Sequence, residues 1–399
     1  MNIAKKAFYR VFHAVMHALI PIFPYREPKL IPDLEGVIKI LKFQSVEKVM
    51  IVTDKGIRGL GLTKPLENII EESGIVCTVY DGTMPNPTSD NVEEARELYI
   101  QSGSQALIAF GGGSAMDCAK AVGARIVRPN MPLKKMQGLI KICKRLPLLI
   151  AIPSTAGTGS ETTVASVIVD SQTHHKYVIN DFSLIPHYAL LDPQITLGLP
   201  KGLTATTGMD ALTHALEVYV GKSRTKQTKA AAEKSVKLIL NNLEKAYQNG
   251  SDIEARKNML HASYLAGTAF TKSYVGYVHA VAHTLGGKYG IPHGLANAVL
   301  LPKVLRAYGD SVTKSLSELA KKVELVDNAT PDKEAAEIFI SHIEGMNKRM
   351  QIPEKFDCIV KSDIEEMSKL ADKEANPLYP VPTLWDAEEL QALYHLVCD

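Results

Sequence analysis

The chain changes its hydrophobic rhythm near the middle. Up to about residue 195, short β-rich apolar runs ("VEKVMIVTD", "IVCTVYDG", "QALIAFGGG", "LPLLIAIPST" and "ASVIVD") alternate with stretches whose apolar positions recur at helical spacing. This alternation predicts a mainly parallel sheet covered by helices, because parallel strands need crossover connections and are buried on both faces. Beyond "LLDPQITLGLP" the pattern is helical almost to the end, with Pro and Gly at turns and no comparable strand run. The second half therefore reads as an all-α domain. Pro193 and Pro200 bracket the junction. We expect an α/β domain over 29–196 and a helical domain over 197–399, with a ligand in the crevice between them. Residues 1–28 form an extension ahead of both. Phe8, Phe12, Val15 and Leu19 fall at helical spacing there, which predicts an amphipathic helix packed on the body or on a partner. Lys5, Lys6 and Arg10 ahead of an apolar stretch resemble a signal peptide, but His13 and His17 interrupt it.

Composition narrows the function classes. With 399 residues, 46% of them hydrophobic and 22% charged, the chain can bury a large interior. Lysine and arginine number 45 against 43 acidic residues, a balance that offers no broad field for nucleic acid or an anionic membrane. The cluster Lys134, Lys135, Lys141, Lys144 and Arg145 reads as a solvated helix face. No run of eighteen apolar residues occurs, so no membrane span is expected. Five cysteines without a C-x-x-C pair argue against a disulfide framework and for a reducing compartment, the cytoplasm being the simplest.

Candidate chemistry sits where the expected strands end. In "ALIAFGGGSAMDCAKAVG", Gly111, Gly112 and Gly113 let backbone approach a ligand, and Ser114 with Asp117 three residues later suits a helix-opening cap. Phosphate on that helix N-terminus is one reading; a tight strand-to-helix turn also uses glycine. A second turn, "AIPSTAGTGSETT", offers the hydroxyls of Ser154, Thr155, Thr158 and Ser160 to a pyrophosphate or ribose. Asp54 follows an apolar strand, where a carboxylate can accept both ribose hydroxyls and repel a 2′-phosphate. Asn86, in "DGTMPNPTSDN", can reach a ligand across the sheet edge. The G-x-G-x-x-G fingerprint is absent, so a dinucleotide fold here is a variant.

The second half supplies ligand-type side chains. Asp210 and His214 in "GMDALTHALE" are four apart and share a helix face, as do His279 and His283 in "HAVAHTLGGKYGIPHG". Gly286, Gly287, Gly290 and Pro292 then return His293 toward the preceding helix. Each histidine alone reads most simply as a packing residue; together they read as a metal site. Nitrogen and oxygen donors without thiolate fit catalytic Fe2+, Zn2+ or Mn2+ with a position left for substrate. Spacing alone favours both His279 and His283 as ligands. Ala280 stands where H-E-x-x-H requires Glu, which disfavours a metalloprotease.

"GGGSAMDCAK", "PSTAGTGSETT", "GMDALTHALE" and "HAVAHTLGGKYGIPHGLANAVLLP" together resemble the iron-containing, group III alcohol dehydrogenases, over about residues 30 to 390. The resemblance implies an α/β dinucleotide domain followed by a helical metal domain, and a homodimer or higher homo-oligomer. It implies Asp210, His214, His279 and His293 as metal ligands, Fe2+ or Zn2+ as the metal, and His283 in proton transfer. It places Asp54, Asn86, Gly112, Gly113, Ser114, Ala115, Met116, Asp117, Ser154, Thr155, Ala156, Gly157, Thr158, Thr163, Val167 and Lys176 against NAD, with NADP disfavoured by Asp54. The implied reaction is hydride transfer between NAD(H) and a small primary or secondary alcohol or aldehyde. A glycerol-like polyol dehydrogenase is the nearest alternative. A dehydroquinate synthase-like lyase would need more Lys and Arg around the metal than these segments carry.

Overall fold

Parallel strands buried on both faces account for the first half of the chain. The computed structural model describes residues 1–398, and its strands are β1 (Lys29–Ile31), β2 (Lys48–Val52), β3 (Val76–Tyr80), β4 (Ala106–Gly111), β5 (Gly138–Leu139), β6 (Leu148–Pro153), β7 (Ala165–Val169), β8 (Lys176–Asn180) and β9 (Tyr188–Leu190). Six of them form a wholly parallel sheet in the order β1-β9-β6-β4-β2-β3. Side chains alternate across it. Met50, Val52, Leu107, Ala109, Leu149 and Ala151 pack under the helices Ser89–Ser102 and Gly113–Val127. Val49, Ile51, Ile108, Phe110, Ile150 and Ile152 face the helices Leu34–Phe43 and Lys64–Glu72. The period-2 register thus divides each apolar run between two cores.

β2 leads outward to β3, whereas the chain after β4 turns the other way to β6. The carboxyl ends of β2 and β4 therefore flank the switch point of the sheet, the place where open parallel sheets bind ligands. The run "ASVIVD" departs from expectation. It forms β7 of a separate sheet, β5-β8-β7, antiparallel to β8, because its partner is the adjacent hairpin strand and not the parallel stack. The basic cluster 134–145 is exposed but does not make one helix face, since the helix there ends at Met136.

A buried lysine ties the α/β unit together behind the glycine turns. Lys120 Nζ donates to the carbonyls of Ser160, Ala165 and Thr163 (2.7, 2.9 and 3.1 Å) and to the hydroxyls of Thr163 and Ser160 (2.7 and 3.2 Å). Burial pulls its ammonium down to about 8, against the charges of Asp117 and Glu161. Lys120→Met strands those acceptors in the interior, and we expect a loss of about 3 kcal/mol. A urea midpoint equal to that of the unsubstituted protein would refute this.

The chain divides into two compact units, Pro24–Gly198 and a second made of Met1–Phe23 with the residues from Leu199 onward. In the second, the helix Lys201–Val220 is buried on nearly every side from Gly208 onward and packs against the helices Lys226–Gln248, Ile253–Ser273 and His293–Tyr308. A Cβ on Gly208 would lie 2.2 Å from Leu243 Cδ1, so glycine sets how closely the first two helices approach. The N-terminal helix, Ile3–Leu19, belongs to this unit, and it docks by a different face from the one its apolar spacing suggests. Tyr9 and His13 are buried, whereas Phe8, Val15 and Leu19 stay exposed. Polar atoms make the attachment: Arg10 donates to the carbonyls of Val381 and Pro382 (2.7 and 2.6 Å), while ring nitrogens of His13 and His17 meet those of Pro377 and Ser223 (2.7 and 2.9 Å). Carbonyl groups at loop ends need donors, and leucine or phenylalanine supplies none. Among the described residues no helix is long and apolar enough to cross a membrane.

Candidate metal centre and cofactor turns

In the α/β unit the two glycine turns lie against each other. Gly111 has φ 151°, and a Cβ there would stand 2.8 Å from that of Ala115. A Cβ on Gly113 would meet Thr158 Cγ2 at 3.1 Å, and one on Gly112 would lie 3.7 Å from the Thr155 side chain. Side chains at 112 and 113 would therefore fill the space that Thr155 and Thr158 border. Ser154 N–H donates to the Gly111 carbonyl (2.9 Å), carrying the β4–β6 pairing into the second turn.

The helix Gly113–Val127 opens without a side-chain cap. Its N-cap is Gly112, and the Ser114–Asp117 pair does not close the first turn. Asp117 faces the protein instead, accepting from Ser160 Oγ and Val167 N–H (both 3.1 Å). Ala115 and Met116 are buried beneath the turn, Ala156 and Gly157 are buried in the second, and Ser114 is half-exposed. The Thr163 hydroxyl accepts from Lys120 Nζ, while Lys176 Nζ donates to Asn86 Oδ1 (2.9 Å). Asp54 caps the helix Lys55–Gly59 through Oδ1, accepting from Ile57 N–H (2.9 Å). Its Oδ2 lies 3.7 Å from where a Gly111 Cβ would be, so the carboxylate stands at the switch point between β2 and β4.

In the helical unit, one ligand atom each from Asp210, His214, His279 and His293 lies within 4.8 Å of the others. Asp210 and His214 come from the helix Lys201–Val220, His279 from the helix Tyr277–Tyr289, and His293 opens the helix His293–Tyr308. The first three are buried, while the His293 side chain is 37% exposed, so the cluster opens on its side. Burial, then the neighbouring imidazoles of His214, His293 and His283, hold His279 far below the ordinary histidine value. The ring is neutral, as a metal ligand must be.

Glu217, not anticipated from the sequence, orients that ring. Its carboxylate accepts from His279 Nδ1–H (2.6 Å), Gly276 N–H (2.7 Å) and Val278 N–H (2.8 Å). It thereby satisfies the free amides at the start of the His279 helix and leaves the Nε2 lone pair turned into the cluster. Burial pushes the Glu217 carboxyl up to about 8, opposed by the backbone amides of Gly276, Val278 and His279. Gly276 is required here, since a Cβ would fall 2.7 Å from Glu217 Oε1. Asn297, one turn after His293, was also missed. Its Nδ2 faces three acceptors at once: Asp210 Oδ1 (2.6 Å), His293 Nε2 (3.1 Å) and His279 Nε2 (3.3 Å). Two amide hydrogens cannot satisfy three convergent acceptors. An inward-facing set of one carboxylate and three imidazoles, without thiolate, fits a divalent Fe2+ or Zn2+.

His283 stands apart from this set despite its i, i+4 relation to His279. Its ring stacks on His293 (centroids 5.1 Å, 20°), and its Nδ1 meets Glu374 Oε1 at 2.6 Å. Phe270 covers the other side of the cluster, stacked on His214 at 4.2 Å.

Both halves of the chain match family models: residues 32–193 that of iron-containing alcohol dehydrogenase, and residues 204–397 that of the C-terminal part of the Fe-containing alcohol dehydrogenase family. The chain is 38% identical over 334 residues to the 1,3-propanediol dehydrogenase of Citrobacter freundii, spanning 83% of this chain and 86% of that one. It is 36% identical over 333 residues to the NAD-dependent methanol dehydrogenase of Bacillus methanolicus, spanning 83% and 87%. The crystal structure of a 1,3-propanediol oxidoreductase superposes with a TM-score of 0.89 at 34% identity, covering 94% of this chain and 99% of the other. An inward-facing Asp-His-His-His cluster in one unit, glycine turns at a sheet switch point in the other, and matches across both halves lead to one assignment: the chain belongs to the iron-containing alcohol dehydrogenase family.

Proposed function

We propose that the protein interconverts short primary or secondary alcohols with their aldehydes or ketones, using NAD(H) in preference to NADP(H), with Fe2+ as the metal and Zn2+ as the alternative. The observation that carries this is the convergence of Asp210, His214, His279 and His293 on one point, with Nε2 of His279 held inward by Glu217. When bound, the metal supplies a Lewis acid for the alcohol oxygen and the nicotinamide supplies the hydride acceptor. His283 takes the hydroxyl proton and releases it to solvent, its side chain being 39% exposed. Asp54 accepts the ribose hydroxyls. The propanediol and methanol dehydrogenases among the relatives support a short alcohol as substrate. A panel of alcohols and aldehydes run in both directions, with metal analysis of anaerobically purified protein, tests the reading. Failure to turn over any of them with either nicotinamide would reject it.

Cofactor choice gives a sharper test. A 2′-phosphate beside Asp54 suffers like-charge repulsion and loses the ribose hydrogen bonds, so kcat/KM is higher with NADH than with NADPH. Asp54→Gly narrows that gap by relieving NADPH more than it harms NADH. A native preference for NADPH removes this role from Asp54. The five free cysteines support a reducing cytoplasm. We also propose a homodimer or higher homo-oligomer, a proposal that sedimentation as a monomer at micromolar concentration would overturn.

A further inference from the structure

The proton-accepting histidine is held from a segment that supplies no metal ligand. His283 lies on the helix Tyr277–Tyr289, whereas Glu374 lies near the end of the helix Ile364–Ala375, which packs against it. Glu374 Oε1 takes two short contacts: His283 Nδ1 at 2.6 Å and the Tyr379 hydroxyl at 2.8 Å. Tyr379 is buried, and burial, then the Glu374 charge, keeps its phenol protonated as a donor. A carboxylate oxygen that takes two such contacts accepts both, so the proton of the His283 bond belongs to the imidazole.

We propose that Glu374 is the positioning residue of the relay: it fixes His283 with its proton on Nδ1, leaving Nε2 as the proton acceptor, and Tyr379 fixes Glu374. The geometry separates the two neighbouring histidines by their carboxylates. Glu217 turns the Nε2 of His279 into the metal set, while Glu374 anchors His283 outside it. A ring without such a partner divides its proton between the two nitrogens, and the form protonated on Nε2 cannot accept there. The inference rests on His283 being the relay, but the hold itself can be measured without turnover.

The test is nitrogen–proton correlation of ring nitrogens in full-length protein loaded with zinc, with the His283 signals assigned by their absence in His283→Ala. The unsubstituted protein and Glu374→Gln, whose amide oxygen still accepts, show the Nδ1–H form; Glu374→Ala shifts toward Nε2–H. Glu374→Ala lowers kcat by roughly tenfold or more, less than the about 10²- to 10⁴-fold of losing the ring. KM and bound metal stay level, and Glu374→Gln recovers most of the turnover. An unchanged tautomer in Glu374→Ala, loss of its metal, or a Glu374→Gln as impaired as Glu374→Ala overturns the proposal. A tautomer that shifts while kcat stays level in both Glu374→Ala and His283→Ala upholds the hold and removes the relay.

Discussion

His279→Ala and His293→Ala lose their metal and their turnover, whereas His283→Ala keeps its metal and loses only rate. The contrast follows from which nitrogen each ring turns inward. His279 and His293 both offer Nε2 to the point shared with Asp210, and each is one of the four donors that cluster there among the described residues. With three ligands left, the site loses affinity and geometry together. For His279 there is a further cost, because Glu217 loses one of its three buried donors. His283 is four residues from His279 on the same helix, yet its Nδ1 is committed to Glu374. Its removal leaves the ligand set intact, so kcat falls by about 10²- to 10⁴-fold, as for a lost acid–base group, with a changed pH profile. Metal content of folded protein, checked by circular dichroism, decides the matter. Loss of metal from His283→Ala with retention in His279→Ala would reverse the roles of the pair.

Glu217→Ala has the second largest effect, although Glu217 is not itself among the four clustered donors. Three N–H groups, of Gly276, Val278 and the His279 ring, converge on this one buried carboxylate. Alanine leaves all three without an acceptor in the interior, which costs on the order of 3 kcal/mol or more. It also frees the His279 ring to rotate or to move its proton to Nε2, where that nitrogen no longer binds a cation. Metal affinity falls by about 10- to 100-fold, the usual penalty for an outer partner of a metal-bound imidazole. Glu217→Gln does not restore it fully, since its amide has one acceptor oxygen for three donors. Thermal denaturation with and without added Zn2+ separates the two losses. A Glu217→Ala protein whose melting temperature and metal titration both match the unsubstituted chain would show that the backbone of the His279 helix holds the ring by itself.

The cluster of candidate donors was partly readable because helix geometry is local. Asp210 and His214, four apart, share a face in any α-helix, and the Gly and Pro residues before His293 announce that the chain turns back. The same rule does not separate His279 from His283. Both lie on one face, but one turn of helix displaces the second ring enough for a different carboxylate to claim it. Glu217 is seven residues after Asp210 and so on that same face, yet a glutamate at this spacing is ordinary on any solvated helix. Asn297 and Lys120 were equally available by spacing, one turn after His293 and three residues after Asp117. Glu374 had no local sign at all, since it lies 91 residues from His283.

What the sequence by itself determined is what depends on neighbours along the chain. That includes an α/β half followed by a helical half, the division of apolar runs at period 2, glycine turns at strand ends, and ligand-type residues at helical spacing. The tertiary structure decided what depends on direction between distant segments. It sent β7 to a second sheet, turned Asp117 inward to Ser160 and Val167, and docked the N-terminal helix by Arg10, His13 and His17, leaving Phe8 and Val15 outside. It also gave each of two neighbouring histidines its own carboxylate. The physical reason is that periodicity follows from the fixed rise and turn of a single element, whereas a hydrogen bond forms only where two elements bring a donor and an acceptor within about 3 Å. Packing alone sets that approach, and so it alone decides which ring nitrogen can bind a metal and which can carry a proton.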